Sequence, residues 1–407
     1  MKKTVLKQYA HLIATVGANV QKGQEVWLYA DLDQPEFVTY VVEACYKAGA
    51  KKVRVEWNHD PIQKLHARHQ KAAVLGGVDE WEKAKLQHMA DVLPCRIYLE
   101  SADPDGLKGV PQPKFSNAMA ARSKVIKPYR DAIDNKHQWC IAAVPGEAWA
   151  KKVFPHLRKN QAVEALWEAI LYTARADVDP IAAWEAHNAD LKARCDYLNG
   201  KGITKLHYTA PNGTDLTVGL IPEALFLAGS EDTLSGVTFQ PNMPTEEVFT
   251  TPKKGEAEGV VYSTKPLSFQ GQLIDGFHLR FHEGKVVEVH AEQNEALLKK
   301  MVEMDETACY LGECAFVPKE SPINRSGLLF YNTLFDENAA CHLALGEGFG
   351  NCIKDYDKYT REQLKELGVN DSLIHVDFMI GCDELTITGI TAEGGEVAIF
   401  QNGTWAF

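Results

Sequence analysis

A chain of 407 residues with 45% hydrophobic content is long enough to bury a large core and to divide into two or three domains. Its 43 basic and 55 acidic residues leave a formal net charge of -12, which disfavours nucleic-acid phosphates and anionic lipid surfaces as partners. No apolar run reaches the ~18 to 20 residues that a membrane span needs, and Lys7 interrupts the stretch behind Met1-Lys2-Lys3 before a signal-peptide core can form.

The nine cysteines, at 45, 95, 140, 195, 309, 314, 341, 352 and 382, are odd in number and contain no C-x-x-C pair. They read as reduced, mostly packed thiols in a cytoplasmic protein. In chain order, apolar runs at 25–30, 53–57, 95–101 and 139–144 are strand-length, and helical patterns separate them at spacings suited to parallel crossovers. This predicts a parallel sheet with helices on both faces. After the first strand, Asp33 is the expected N-cap, Pro35 and Glu36 fit a first turn, Phe37, Val41 and Ala44 share a face, and Gly49 ends the helix. A second helix is expected after an Asn160 cap, and a third from Asp179, with Trp184, Leu191, Cys195 and Leu198 on its apolar side and Asn199-Gly200 as its stop. Segments 205–210 and 214–220 then alternate like strands, with Asn212-Gly213 as a hairpin signal.

The composition shift near residue 200 predicts a parallel α/β N-terminal domain, 1–200, followed by a β-rich α+β domain, 201–407, that holds the chemistry. In this second half, strands are expected at 285–291 and 384–390 and helices at 295–304 and 360–367. There is no G-x-S-x-G elbow, H-E-x-x-H helix or G-x-x-x-x-G-K-[ST] loop, which argues against three large enzyme classes. The glycines of 346–350 fall short of G-x-G-x-x-G and read as a flexible turn. Cys341 lies beside His342, but neighbours on an extended segment point to opposite faces, so the two cannot form a nucleophile and base pair. Cys341 is expected in the core.

One set of residues could carry metal chemistry. His375 and Asp377 stand at i and i+2 in HVDFMIG, which reads as a buried strand. That spacing puts both on one face, about 6 to 7 Å apart along the chain. A buried carboxylate there needs a cation or dense hydrogen bonding, and a plain His-Asp hydrogen bond is the alternative. His342 and Glu313 each sit within apolar segments, 339–345 and 310–316, where a core histidine or a neutralised acid would also account for them. Glu246 and Glu247 precede the β-prone Val248-Phe249, and adjacent acids should face opposite ways, one toward metal and the other toward substrate or solvent. Together the set offers carboxylates and imidazoles suited to Zn²⁺, Co²⁺ or Mn²⁺. Three carboxylates against two divalent cations leave one positive charge, which a bridging hydroxide would neutralise, and that hydroxide is the nucleophile peptide hydrolysis requires.

At these segments the chain resembles the thermophilic-type metalloaminopeptidases, the family of aminopeptidases T and S. The similarity runs along the whole sequence and is strongest at NMPTEEVFT (242–250), YLGECAFVP (310–318), GLLFYNTLFDENAACHLALG (327–346) and HVDFMIG (375–381). The resemblance implies that Glu247, Glu313, His342, His375 and Asp377 are ligands of two divalent cations. It further implies a two-domain homodimer whose active sites open into an enclosed cavity, acting on the N-termini of peptides. One departure stands out: the family commonly has a Tyr seven residues after the histidine of C-H-L-A, and this chain has Phe349, with Tyr331 and Tyr356 as the spatial substitutes to examine. Glu246 is the candidate general base or amine contact. The competing expectations are a metal- or peptide-binding homologue without turnover, motivated by Phe349, and a nucleotide-dependent enzyme using the N-terminal α/β domain.

Overall fold

A computed structural model of the chain describes residues 1–177, 179–270 and 272–407. They form two compact units, Met1–Ala186 with Ser230–Thr245, and His187–Gly229 with Glu246–Phe407. The chain passes from the first unit to the second inside the helix Pro180–Asn199 and rejoins the first at 230–245.

The first unit is built on a parallel sheet whose strands lie in the order Asn242–Met243, Trp139–Ala143, Cys95–Glu100, Glu25–Asp31, Lys52–Asn58. Glu25–Asp31 is paired on both sides, with Cys95–Glu100 and Lys52–Asn58, and its Val26 and Leu28 are fully buried, as expected of a parallel strand covered on both faces. Tyr9, Phe37 and Trp167 pack with ring centroids 5.2 to 6.4 Å apart, tying together the helices Lys3–Leu12, Pro35–Ala48 and Lys159–Thr173. The N-terminal helix was not among the expected elements. Gln34 rather than Asp33 holds the N-cap position of Pro35–Ala48, without a side-chain capping bond, and its side chain donates instead to the Pro145 carbonyl at 2.9 Å. Gly49, with φ 106, ends this helix as its pattern predicts. The second expected helix begins two residues early, at Lys159, with the Arg158 N–H donating to Gln161 Oε1.

In the second unit the hairpin Ile203–Thr209 and Asp215–Leu220 joins Pro252–Tyr262, Gln272–His282, Lys285–Gln293, Thr386–Thr391, Glu396–Gln401 and Thr404–Trp405 in one antiparallel sheet. A second antiparallel sheet orders Leu227–Ala228, Val248–Thr250, Leu311–Phe316, His342–Gly346 and His375–Met379. The apolar faces of the two sheets meet in a single core, with Phe277 against Phe378 at 5.8 Å and Phe316 against Phe400 at 6.3 Å. Helix Arg361–Leu367 starts at a Thr360 capping box and stops at Gly368, while Glu295–Val302 ends two residues short of its expected limit.

Gly346 makes the approach of the last two strands possible. It has φ 104, and an added Cβ would lie 2.0 Å from the Ile374 carbonyl oxygen. Gly346→Ala is expected to cost about 2 kcal/mol or more through backbone strain and displacement of the His375 strand. Urea unfolding measures this, and an unchanged midpoint would refute it.

Candidate metal centre

The five-stranded sheet explains how distant residues meet. Register pairs Ala315 with His342 and His342 with Met379; it pairs Glu313 with Ala344, Ala344 with Asp377, and Gly346 with His375. Because side chains alternate along a strand, Glu313, His342, Ala344, His375 and Asp377 share one face. Their neighbours Cys314, Cys341, Leu343, Val376 and Phe378 belong to the core on the other. Cys341 therefore lies in the core as expected, exchanging 3.4 Å contacts with the Val317 backbone. Ala344, the small residue in the middle strand, leaves room between Glu313 and Asp377. Val248 is buried in the same core, so Glu247, one residue earlier, turns to the polar face.

The geometry on that face is tight. Glu247, Glu313 and His342 each offer a donor atom within 4.8 Å of the others, and so do Glu313, His375 and Asp377. Glu313 is common to both groups. His342 Nε2 is 3.1 Å from Glu247 Oε2, and His375 Nε2 is 3.1 Å from Glu313 Oε2 and 3.2 Å from Asp377 Oδ1. The other ring nitrogens are held by backbone: His342 Nδ1–H donates to the Ala340 carbonyl at 3.1 Å and His375 Nδ1–H to the Glu347 carbonyl at 2.7 Å. With Nδ1–H held by backbone, both Nε2 atoms face the cluster, the orientation that a cation requires.

The electrostatics identify what these residues lack. Glu313 is raised to about 7, by loss of solvent first and then by the charges of Glu247 and Asp377. Burial lowers the pKa of His342, but the hydrogen-bonded Glu247 and the nearby Glu313 and Asp377 outweigh it and bring it to about 9. His375 is raised well above its ordinary range for the same reason, and His375 in turn holds Asp377 low despite its burial. Asp377 Oδ1 is buried and accepts no hydrogen bond, although His375 Nε2 stands 3.2 Å away. Packed carboxylates, imidazoles whose Nε2 atoms face them and a buried carboxylate oxygen without a hydrogen bond are a donor set that fits divalent cations.

Two further features were not anticipated from the sequence. Half-buried Glu337, on the short turn Glu337–Ala339, has its pKa raised well above the carboxylate range by desolvation and by the charges of Asp377, Glu247 and Glu313. It lies inside the string LFDENAA, but nothing in the local pattern distinguishes it from a surface acid. Arg361 bridges the carboxylates of Glu347 and Asp371, and so steadies the residue whose carbonyl orients His375.

Glu246 falls in neither donor group. It is buried, its N–H donates to Asn338 Oδ1 at 2.7 Å, and its carboxylate lies 3.9 Å from His187 Nε2. The adjacent acids thus have different partners, as their alternation suggests. Phe349 packs on the His375 ring at 4.9 Å and on Phe249 at 5.3 Å. Tyr356 packs instead with Ile221, Ile353 and Val369, and the Tyr331 N–H faces the Asp336 carboxylate.

Comparison with known proteins shows the family. The profile of the thermophilic metalloprotease family (M29) matches residues 2–405. The chain is 42% identical to aminopeptidase AmpS of Bacillus subtilis strain 168, over 99% of this chain and 98% of the relative. It is 38% identical to aminopeptidase T of Thermus aquaticus, over 98% of each. The solved structure of wild-type AmpT from Thermus thermophilus superposes with a TM-score of 0.89 at 36% identity, covering all of both chains. On sequence and fold together, the chain belongs to the thermophilic metalloprotease (M29) family.

Proposed function

We propose that this protein is a cytoplasmic, homodimeric aminopeptidase that hydrolyses the first peptide bond of peptides with two divalent cations, Zn²⁺, Co²⁺ or Mn²⁺. The observation that carries this reading is the sharing of Glu313 between two donor groups, the arrangement expected of a carboxylate serving two adjacent cations. The second unit, His187–Gly229 with Glu246–Phe407, rather than an unbroken 201–407, would be the catalytic one, with Glu247 and His342 holding one ion, His375 and Asp377 the other, and Glu313 both. When bound, the ions would supply a hydroxide nucleophile and polarise the scissile carbonyl. Glu337 lies within the field of Glu247, Glu313 and Asp377, a further acidic group beside the three carboxylates that, with a hydroxide, would balance two divalent ions.

The chain's own residues do the positioning. The Ala340 and Glu347 carbonyls hold the two imidazoles with Nε2 forward. Asn338 fixes the Glu246 backbone through Oδ1, and its Nδ2 lies 3.4 Å from Glu337 Oε1. Glu246 takes the role of general base or contact for the substrate's free amine, which would explain selection of N-terminal residues. Nine free cysteines, seven of them buried, suit a reducing compartment. Among the described residues no helix is long and apolar enough to cross a membrane. The homodimer rests on the family resemblance.

A second reading, a metal- or peptide-binding homologue without turnover, is favoured by the phenyl ring of Phe349 against His375. Assay of an aminoacyl chromogenic substrate with added cobalt or zinc, before and after chelation, separates the two. The enzyme reading predicts activity that chelation abolishes and metal restores, and absence of turnover with every metal would sink it. Glu313→Gln is expected to lower activity at least about 100-fold and to reduce bound metal below two ions per chain by elemental analysis. Retention of both would remove Glu313 from the centre. Glu246→Gln is expected to lower kcat while metal content stays near that of the parent, and unchanged turnover would remove Glu246 from the mechanism. Saturating metal should raise Tm, by an amount corresponding to about 2.7 kcal/mol at 100 times the dissociation constant; a Tm indifferent to metal would contradict a centre built on four buried ligands and the half-buried His375.

A further inference from the structure

Behind the candidate metal centre, the second unit contains a separate cavity of about 260 Å³. Its walls include Lys265, Lys319 and Asp383 among apolar groups such as Val317, Ala340 and Leu385. Cys341 also lines it, and since Cys341 points to the opposite sheet face from His342, the cavity is not part of the polar cluster. Its two lysines mark it as built for a ligand. Lys265 and Lys319 are both half-buried, and among the described residues neither ammonium is shown within ion-pair distance of a carboxylate, although the Lys265 charge is felt by the buried Asp336. The nearest polar contact of Lys265 is Asn324 Oδ1 at 3.4 Å, and Asn324 Nδ2 is already committed to the Lys319 carbonyl at 2.9 Å. The nearby Glu320 carboxylate is taken by Thr404 Oγ1 at 2.6 Å. Two partly desolvated cations in one small cavity favour an anionic ligand.

Size and the remaining lining narrow the chemistry. The volume lies just under the ~300 Å³ at which drug-sized pockets begin, ample for more than an inorganic anion. Asp383 provides one negative group and Val317 with Leu385 an apolar wall. Two cations, one anion and a small apolar surface are the complement of a zwitterion carrying a short hydrocarbon chain.

We propose that this cavity binds a free α-amino acid with a small aliphatic side chain, its carboxylate on Lys265 and Lys319 and its ammonium on Asp383. The choice of ligand rests on the aminopeptidase reading, since that reaction releases such molecules. The cavity also has a short route to the reaction site: Ala340 lines it, and the Ala340 carbonyl is the group that receives His342 Nδ1–H. An occupant pressing on the segment 339–341 therefore acts on a candidate metal ligand, and product would regulate the enzyme from the back of the sheet.

The test is isothermal titration of the full-length, metal-stripped protein with valine, acetate and inorganic phosphate. Removing metal excludes amino acid binding to the ions, so the outcome does not depend on turnover. Valine should bind saturably, with acetate and phosphate at least about tenfold weaker. Lys265→Met and Lys319→Met should each weaken valine about tenfold or more at unchanged Tm, while Asp383→Asn should weaken valine and spare acetate. If Lys319→Met does not fold, Lys265→Met carries the same comparison. Absence of saturable valine binding, phosphate binding tighter than valine, or valine binding indifferent to the lysine substitutions overturns the proposal. An active enzyme that fails to bind valine here would refute this site and leave the aminopeptidase reading intact; valine binding by a protein without turnover would do the reverse.

Discussion

Everything at the polar face of the second unit follows from carboxylates that cannot all be charged together without a counter-ion. Glu247, Glu313 and Asp377 are buried, and Glu337 stands within their field. In water such groups repel weakly, but out of solvent the repulsion is several-fold stronger, and Glu313 is pushed to about 7. The two imidazoles relieve part of this, and at 3.1 to 3.2 Å from the acids they occupy the place of positive charge. A fold that keeps such a cluster dry carries a cost that cations would offset.

The five-stranded sheet makes that cluster possible by separating its two faces strictly. One face supplies Cys314, Leu343 and Phe378 to a core shared with the larger sheet, and the other supplies the charged groups. Burial of the first locks the register, and a slip of one residue would drive the charged set into hydrocarbon. Stability of the core and placement of the charges are thus a single constraint. Orientation of the imidazoles is added by backbone carbonyls, one of them on Glu347, which Arg361 secures.

Much of this was legible in the linear order of residues. His375 and Asp377 are two apart in an apolar segment, and strand periodicity alone puts them on one face. Glu313 and His342 stand out because ionisable groups in apolar runs demand a partner. The parallel sheet of the first unit follows from strand-length runs at crossover spacing, and all four of its longer strands lie where those runs predict. Local capping is less legible: Asp33 and Asn160 are plausible caps by type, but the Gln34 contact with Pro145 and the start at Lys159 depend on neighbours far along the chain or on competing local bonds.

Local pattern determined which residues are buried, which face they take and which acids and histidines lack an ordinary explanation, because side-chain period is a property of the strand itself. Only tertiary structure decided which strands are neighbours, and hence that Ala344 separates Glu313 from Asp377, that Glu337 joins the cluster from a short turn, and that Phe349 covers His375. The return of 230–245 to the first unit and the convergence of Lys265, Lys319 and Asp383 on one cavity are of the same kind. Pairing between distant segments is settled by the packing of the whole core, and no window of sequence contains it.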